Sequence, residues 1–186
     1  NAFDGCSSLS YVYIDDCDES LSLGFGERTN YLDGLFSLCP IEKVYIGRNL
    51  SSYKSNATTY YSAFRHNASL KEVIFGNMVT SIEPYAFYEC TSLEVVYIGN
   101  SLRSIGTHPD LWEYSFGLCA NLKSIFLFSN DLSTVGKYTF HSSTPVIYVP
   151  NPDTYINILN GCNVQPMIIF DSPEKEYDGK IPEFTY

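Results

Sequence analysis

The side chains of this 186-residue chain with reactive chemistry are three histidines, six cysteines and 21 Asp and Glu residues. None is spaced for catalysis. His66, His108 and His141 stand far apart, without the short intervals of a zinc site. There is no Gly-x-Ser-x-Gly, no His-Glu-x-x-His and no phosphate-cradling loop, and Gly24-Phe-Gly26 alone carries no such meaning. The run Asp15-Asp16-Cys17-Asp18-Glu19 offers the carboxylate oxygens that calcium prefers. It lacks the glycine-centred spacing of an EF-hand loop and reads as a solvated acidic loop. The chemistry expected is therefore binding rather than turnover, with no metal and no cofactor. The residues suited to it are Tyr13, Tyr45, Ile74, Tyr97, Phe126 and Tyr148, each set between two apolar residues of a short β-prone run. Aromatic bodies with hydroxyl tips dominate binding hot spots.

What would bring these residues into line is repetition. Phe3, Phe36, Phe64, Phe87, Phe116 and Phe140 recur at separations of 33, 28, 23, 29 and 24 residues. Three residues after each comes Cys6, Cys39, Asn67, Cys90, Cys119 or Ser143, and an aliphatic residue follows near the sixth place. Then come the runs Val12-Tyr-Ile14, Val44-Tyr-Ile46, Val73-Ile-Phe75, Val96-Tyr-Ile98, Ile125-Phe-Leu127 and Ile147-Tyr-Val149. Alternation of this kind predicts a strand with one buried face. The Ala86-Phe87…Cys90 spacing suits one helical turn. A unit this small cannot bury its own apolar face, so neighbouring copies must stack, their strands parallel and about 4.8 Å apart. The six central residues then form a row on the open face of the sheet, either stiffening it or presenting a platform to a ligand.

These residues resemble the BspA-type leucine-rich repeats of bacterial cell-surface proteins. The motif Ile-x-x-x-Ala-Phe-x-x-Cys-x-x-Leu-x-x-Val-x-Ile is matched at 82–98. The resemblance covers roughly 1–150, is most specific over 74–127, and is weakest in the irregular stretches 15–34 and 47–62. It implies an α/β repeat fold: a right-handed solenoid with a parallel sheet of short strands and short helical turns opposite. It also implies an exported, often adhesive, extracellular protein, and brings no catalytic residues with it.

Both ends carry expectations. The chain begins inside a repeat, which predicts that the array continues upstream. Asn151-Pro152-Asp153 looks like a helix start, predicting a capping helix over 152–160 and a last strand over 166–170, within a solenoid spanning 1–170 and a cap spanning 150–170. Residues 171–186 read as a linker and the opening of a following β-sandwich module. Residues 107–112 form an insertion carrying Trp112, the one tryptophan; such insertions often contribute to recognition, but the favoured reading is a ring folded back over the core edge. The cysteines at the repeat position read as buried free thiols, because Asn67 and Ser143 replace them singly; disulfides between stacked neighbours such as Cys90 and Cys119 are the alternative.

The net charge of −10 argues against nucleic acid, and no apolar run is long enough to span a bilayer. The expected partner is a host or bacterial surface protein or a glycan, met by the sheet face and inserted loops. The rival reading is a structural spacer.

Overall fold

Each of the six β-prone runs becomes a four-residue strand, its central residue on the outward side and its flanking apolar pair buried, except that Val12 in the first is half-buried. The computed structural model describes residues 3, 6–23, 34–51, 53–56, 59–107 and 113–167. In chain order the first strands are β1 (Tyr11–Ile14), β2 (Leu21–Ser22), β3 (Lys43–Ile46), β4 (Leu50–Ser51), β5 (Tyr53–Asn56), β6 (Thr59–Tyr61) and β7 (Glu72–Phe75). Then follow β8 (Ser81–Ile82), β9 (Val95–Ile98), β10 (Ser104–Ile105), β11 (Ser124–Leu127), β12 (Thr134–Val135), β13 (Val146–Val149), the turn of helix α1 (Pro152–Tyr155) and β14 (Asn163–Pro166).

Seven of these strands form one parallel sheet in the order β1-β3-β7-β9-β11-β13-β14. A narrower parallel sheet, β12-β10-β8, lies where the chain returns from each strand to the next turn. The pair β2–β4 repeats that arrangement in the first units, and β5–β6 is an antiparallel hairpin inside the irregular stretch 47–62. Sequential parallel strands joined by return segments make a solenoid, and its core runs along the axis.

Two columns fill that core. Val44, Val73, Val96, Ile125 and Ile147, with Ile46, Phe75, Ile98, Leu127 and Val149, are buried along the strands. Opposite them the repeat phenylalanines follow ring on ring, tilted at 4.7 Å for Phe3–Phe36 and stacked at 5.1 Å for Phe36–Phe64, 5.7 Å for Phe64–Phe87, 5.5 Å for Phe87–Phe116 and 5.9 Å for Phe116–Phe140.

The residue three places after each phenylalanine has a task beyond filling space. It donates a hydrogen bond to the preceding repeat's phenylalanine carbonyl in all five junctions. Cys39 Sγ reaches Phe3 O at 3.4 Å, Asn67 Nδ2 reaches Phe36 O at 2.7 Å and Cys90 Sγ reaches Phe64 O at 3.2 Å. Cys119 Sγ reaches Phe87 O at 3.1 Å and Ser143 Oγ reaches Phe116 O at 2.8 Å. Cys, Asn and Ser interchange here because each supplies a donor to a buried carbonyl, which in the first four junctions also accepts a main-chain N–H, from Cys6, Cys39, Asn67 and Cys90 in turn. All six cysteines are free thiols in the structure.

The turns opposite the sheet are not helical, contrary to the expectation from the Ala86-Phe87…Cys90 spacing. The residue two places after the phenylalanine is left-handed in four units, with φ of 61° at His66, 57° at Glu89, 58° at Leu118 and 56° at Ser142. A right-handed helix cannot pass through such a residue. In the first three of these the N–H thereby points along the array and donates to the next turn: His66 to Tyr88 O, Glu89 to Gly117 O and Leu118 to His141 O, at 2.8, 2.9 and 2.8 Å.

The C-terminal end also differs from expectation. Asn151 accepts a hydrogen bond from Asp153 N at 3.1 Å and proline takes the first helical position, but the helix lasts only the four residues of α1 instead of nine. The last strand begins at Asn163, three residues ahead of the expected one, because its place is set by pairing with β13 (Val146↔Asn163, Ile147↔Val164) rather than by its own composition. Residues 168–186, including the expected linker and following module, lie outside the described residues.

Candidate functional site

Parallel register places the expected row as a continuous file of partners: Tyr13↔Tyr45↔Ile74↔Tyr97↔Phe126↔Tyr148, ending on Gln165 of β14. The structure splits that file in two. Tyr13 and Tyr45 stack at 4.8 Å with ring planes 12° apart. Tyr97 stacks on Phe126 at 5.1 Å and 11°, and Phe126 on Tyr148 at 5.0 Å and 12°. Ile74 divides the stacks and is only 2% exposed, although it sits on the outward side of its strand. It is flanked by Tyr45 and Tyr97 on the neighbouring strands, and the Tyr45 hydroxyl reaches across to Gly76: a Cβ on Gly76 would stand 2.5 Å from it. Ile74 is therefore packing and not contact surface. Tyr13, 57% exposed, is the most open member of the row.

Charge on this face is ordered as well. The row two residues earlier along the strands carries the ion pair Lys43–Glu72 at 3.1 Å. At the strand entrances Glu42 pairs with Lys71 at 2.9 Å and Glu94 with Lys123 at 2.7 Å, so acid and base alternate along the array. Tyr45 donates to both carboxylate oxygens of Asp16, at 3.0 and 2.9 Å. Burial first, then that hydrogen bond, pushes the Tyr45 phenol up, and burial does the same to Tyr97. These hydroxyls stay protonated donors at any physiological pH. Asp16 belongs to the acidic run considered for calcium; among the described residues no group of three or more His, Cys, Asp or Glu converges as a metal site. Trp112 lies outside the described residues.

A second aromatic group, on the turns, was missed in the sequence. Tyr85 and Tyr114 occupy the place two before the repeat phenylalanine, as does Tyr138, while Arg65, Tyr88 and His141 occupy the place just after it. Tyr114 meets Tyr85 at 5.7 Å, Tyr88 at 5.6 Å, Tyr138 at 5.6 Å and His141 at 5.3 Å. The Arg65 guanidinium lies over Tyr85 and Tyr88 at 5.0 and 5.2 Å, and the His66 ring is 3.1 Å from the Glu89 carboxylate. The recurrence of Tyr at fixed offsets from the phenylalanine was the available signal. The rings here meet at tilted or edge-on angles between 40° and 76° within this cluster, so they form a packed cap on the turns rather than an open file.

A parallel sheet of short strands joined by return turns, with an outward aromatic row, fits a leucine-rich-repeat solenoid. Residues 58–162, more than half of the chain, match the model of the BspA type leucine rich repeat region in six copies, and the chain belongs to that family. β1 and β3 precede the matched stretch yet continue the same sheet, so the array is longer than the match. No curated protein and no solved structure matches the chain. Repeats of this family suggest a protein-interaction module, generally non-enzymatic and typically surface-associated. No helix among the described residues is long and apolar enough to cross a membrane.

Proposed function

We propose that this chain is an extracellular adhesion module of a cell-surface protein, binding a surface protein or glycan through the outward face of its seven-stranded sheet. The observation that supports this reading is the preordered half-exposed stack Tyr97–Phe126–Tyr148. Rings already held by their neighbours lose little rotamer entropy when a partner covers them. The test is an array of glycans and extracellular matrix proteins probed with the native chain and with a Tyr97→Ser/Tyr148→Ser variant. Both rings lie on the sheet surface and neither has a part in the buried columns, so the variant is expected to remain folded. A hit that weakens at least tenfold in the folded variant is the expected result. A hit of unchanged strength moves recognition away from the sheet face, and an array without hits leaves the spacer as the better account.

A further inference from the structure

In every junction from Phe3 to Phe116 the ring of one repeat phenylalanine is covered by the next, at separations between 4.7 and 5.9 Å. In three of them the phenylalanine N–H also donates to the following turn: Phe36 to Ala63 O, Phe87 to Ser115 O and Phe116 to Thr139 O, at 2.9, 2.8 and 2.9 Å. The left-handed residue two places on adds the second donor described above. At the last turn this pattern stops. Among the described residues no ring covers the outer side of Phe140, and no carbonyl accepts from the N–H of Phe140 or Ser142. β12 is likewise the edge of its three-stranded sheet. Along the strands, by contrast, β14 extends the main sheet, with α1 lying against it. Between the covered and the uncovered side runs a cleft of about 500 Å³ whose lining includes Val135, Phe140, Thr144, Pro145, Ile158 and Leu159.

We propose that this cleft is a docking site for a partner polypeptide that presents a phenylalanine on a tight turn. Its size falls in the ordinary range of binding clefts, about 300–1,000 Å³. The occupant's chemistry is defined by the preceding junctions: an aromatic ring for the open side of Phe140, and two carbonyls, spaced as in a turn, for its two N–H groups. The cleft's lining also holds the polar Lys137, His141 and Asn160, so the ring and the two carbonyls, not apolar character alone, define the occupant; an N–H left without an acceptor under any other cover would be costly. The site lies on the turn side and is independent of the sheet-face reading.

The probe is a synthetic peptide of residues 82–93, the chain's own Phe87 turn, added to the full-length chain under reducing conditions and followed by amide hydrogen exchange. In the free chain the Phe140 and Ser142 amides are expected to exchange rapidly, and with bound peptide to slow at least tenfold. A Phe87→Ser peptide is expected to bind at least tenfold more weakly. Thr144→Arg, a change at an exposed lining residue, is expected to abolish binding while the rest of the exchange pattern stays native. Absence of saturable binding, equal binding of the serine peptide, or full binding by Thr144→Arg overturns the proposal. So does protection of both amides in the free chain: if independent of concentration, the chain's own later residues cover the cleft, and if it grows with concentration, a second copy does.

Discussion

At the scale of single residues, the donor after each phenylalanine turn is the feature with the sharpest consequences. Cys119→Ser keeps a donor for Phe87 O and is expected to change stability by less than about 1 kcal/mol. Cys119→Val leaves Phe87 O with the Cys90 N–H as its one donor and is expected to lose more than the serine variant, about 0.5–1.5 kcal/mol, read from urea melts; equal losses in the two variants would mean that the site needs only volume. Protonation gives a second reading of the same group. Burial pushes the Cys119 thiol up to about 12 and raises the Cys90 thiol well above its ordinary value. Because the fold holds these protons, their stabilising contribution is complete below the unfolded thiol pKa of about 8.5 and is lost as pH rises towards 12. The loss is about 1.4 kcal/mol per pH unit for each thiol. Urea midpoints at pH 8 and pH 10.5 should therefore fall further in the native chain than in Cys119→Ser. The identity of these positions was legible, since six offsets coincide, but the acceptor was not. It is a backbone carbonyl one repeat away, which no residue type announces. The common property of Cys, Asn and Ser was the clue at hand.

At the scale of elements, the corners after the strands show where backbone passes backbone. A Cβ on Gly99 would stand 2.6 Å from Gly76 O, a main-chain atom, whereas a Cβ on Gly76 would meet the ends of the Tyr45 and Asp16 side chains at 2.5 and 2.6 Å. Side-chain ends can swing away and a strand cannot. Gly99→Ala is accordingly expected to destabilise by about 1–3 kcal/mol. Gly76→Ala is expected to cost less and instead to release the Tyr45–Asp16 hydrogen bonds, lowering the Tyr45 phenol pKa in a spectrophotometric titration. Equal destabilisation by the two substitutions would contradict this. The six principal strands were legible because apolar alternation recurs in every unit. β14 was misplaced because Asn-Val-Gln-Pro has one aliphatic residue and takes its position from β13. The turns were read as helical because the spacing of Ala86, Phe87 and Cys90 is the same in a helix as in a turn broken by a left-handed residue. The sheet-face row was legible in membership but not in continuity: that the Tyr45 hydroxyl reaches across to the next strand depends on Gly76 leaving room, and side-chain direction across strands is not encoded in period.

At the scale of the whole molecule, each unit touches only its neighbours, so stability is a sum along one dimension. Phe87 has rings on both sides, at 5.7 and 5.5 Å, and Phe87→Ala is expected to cost about 3–5 kcal/mol and to loosen amides in the units on either side. Phe140 has a ring on one side, at 5.9 Å, and its truncation is expected to cost less and to loosen only the C-terminal end. The reverse order in hydrogen exchange would contradict a linear array. The same geometry sets apart two long surfaces, an aromatic file along the sheet and a tyrosine cap along the turns, and the proposed recognition surface is the first. Hydroxyl-radical footprinting of the chain bound to a captured partner tests that assignment most directly. Protection of Tyr97, Phe126 and Tyr148, with Tyr85, Tyr88 and Tyr114 unchanged, is the result the account predicts. Protection of the turn tyrosines, with the sheet row as reactive as in the free chain, would contradict it.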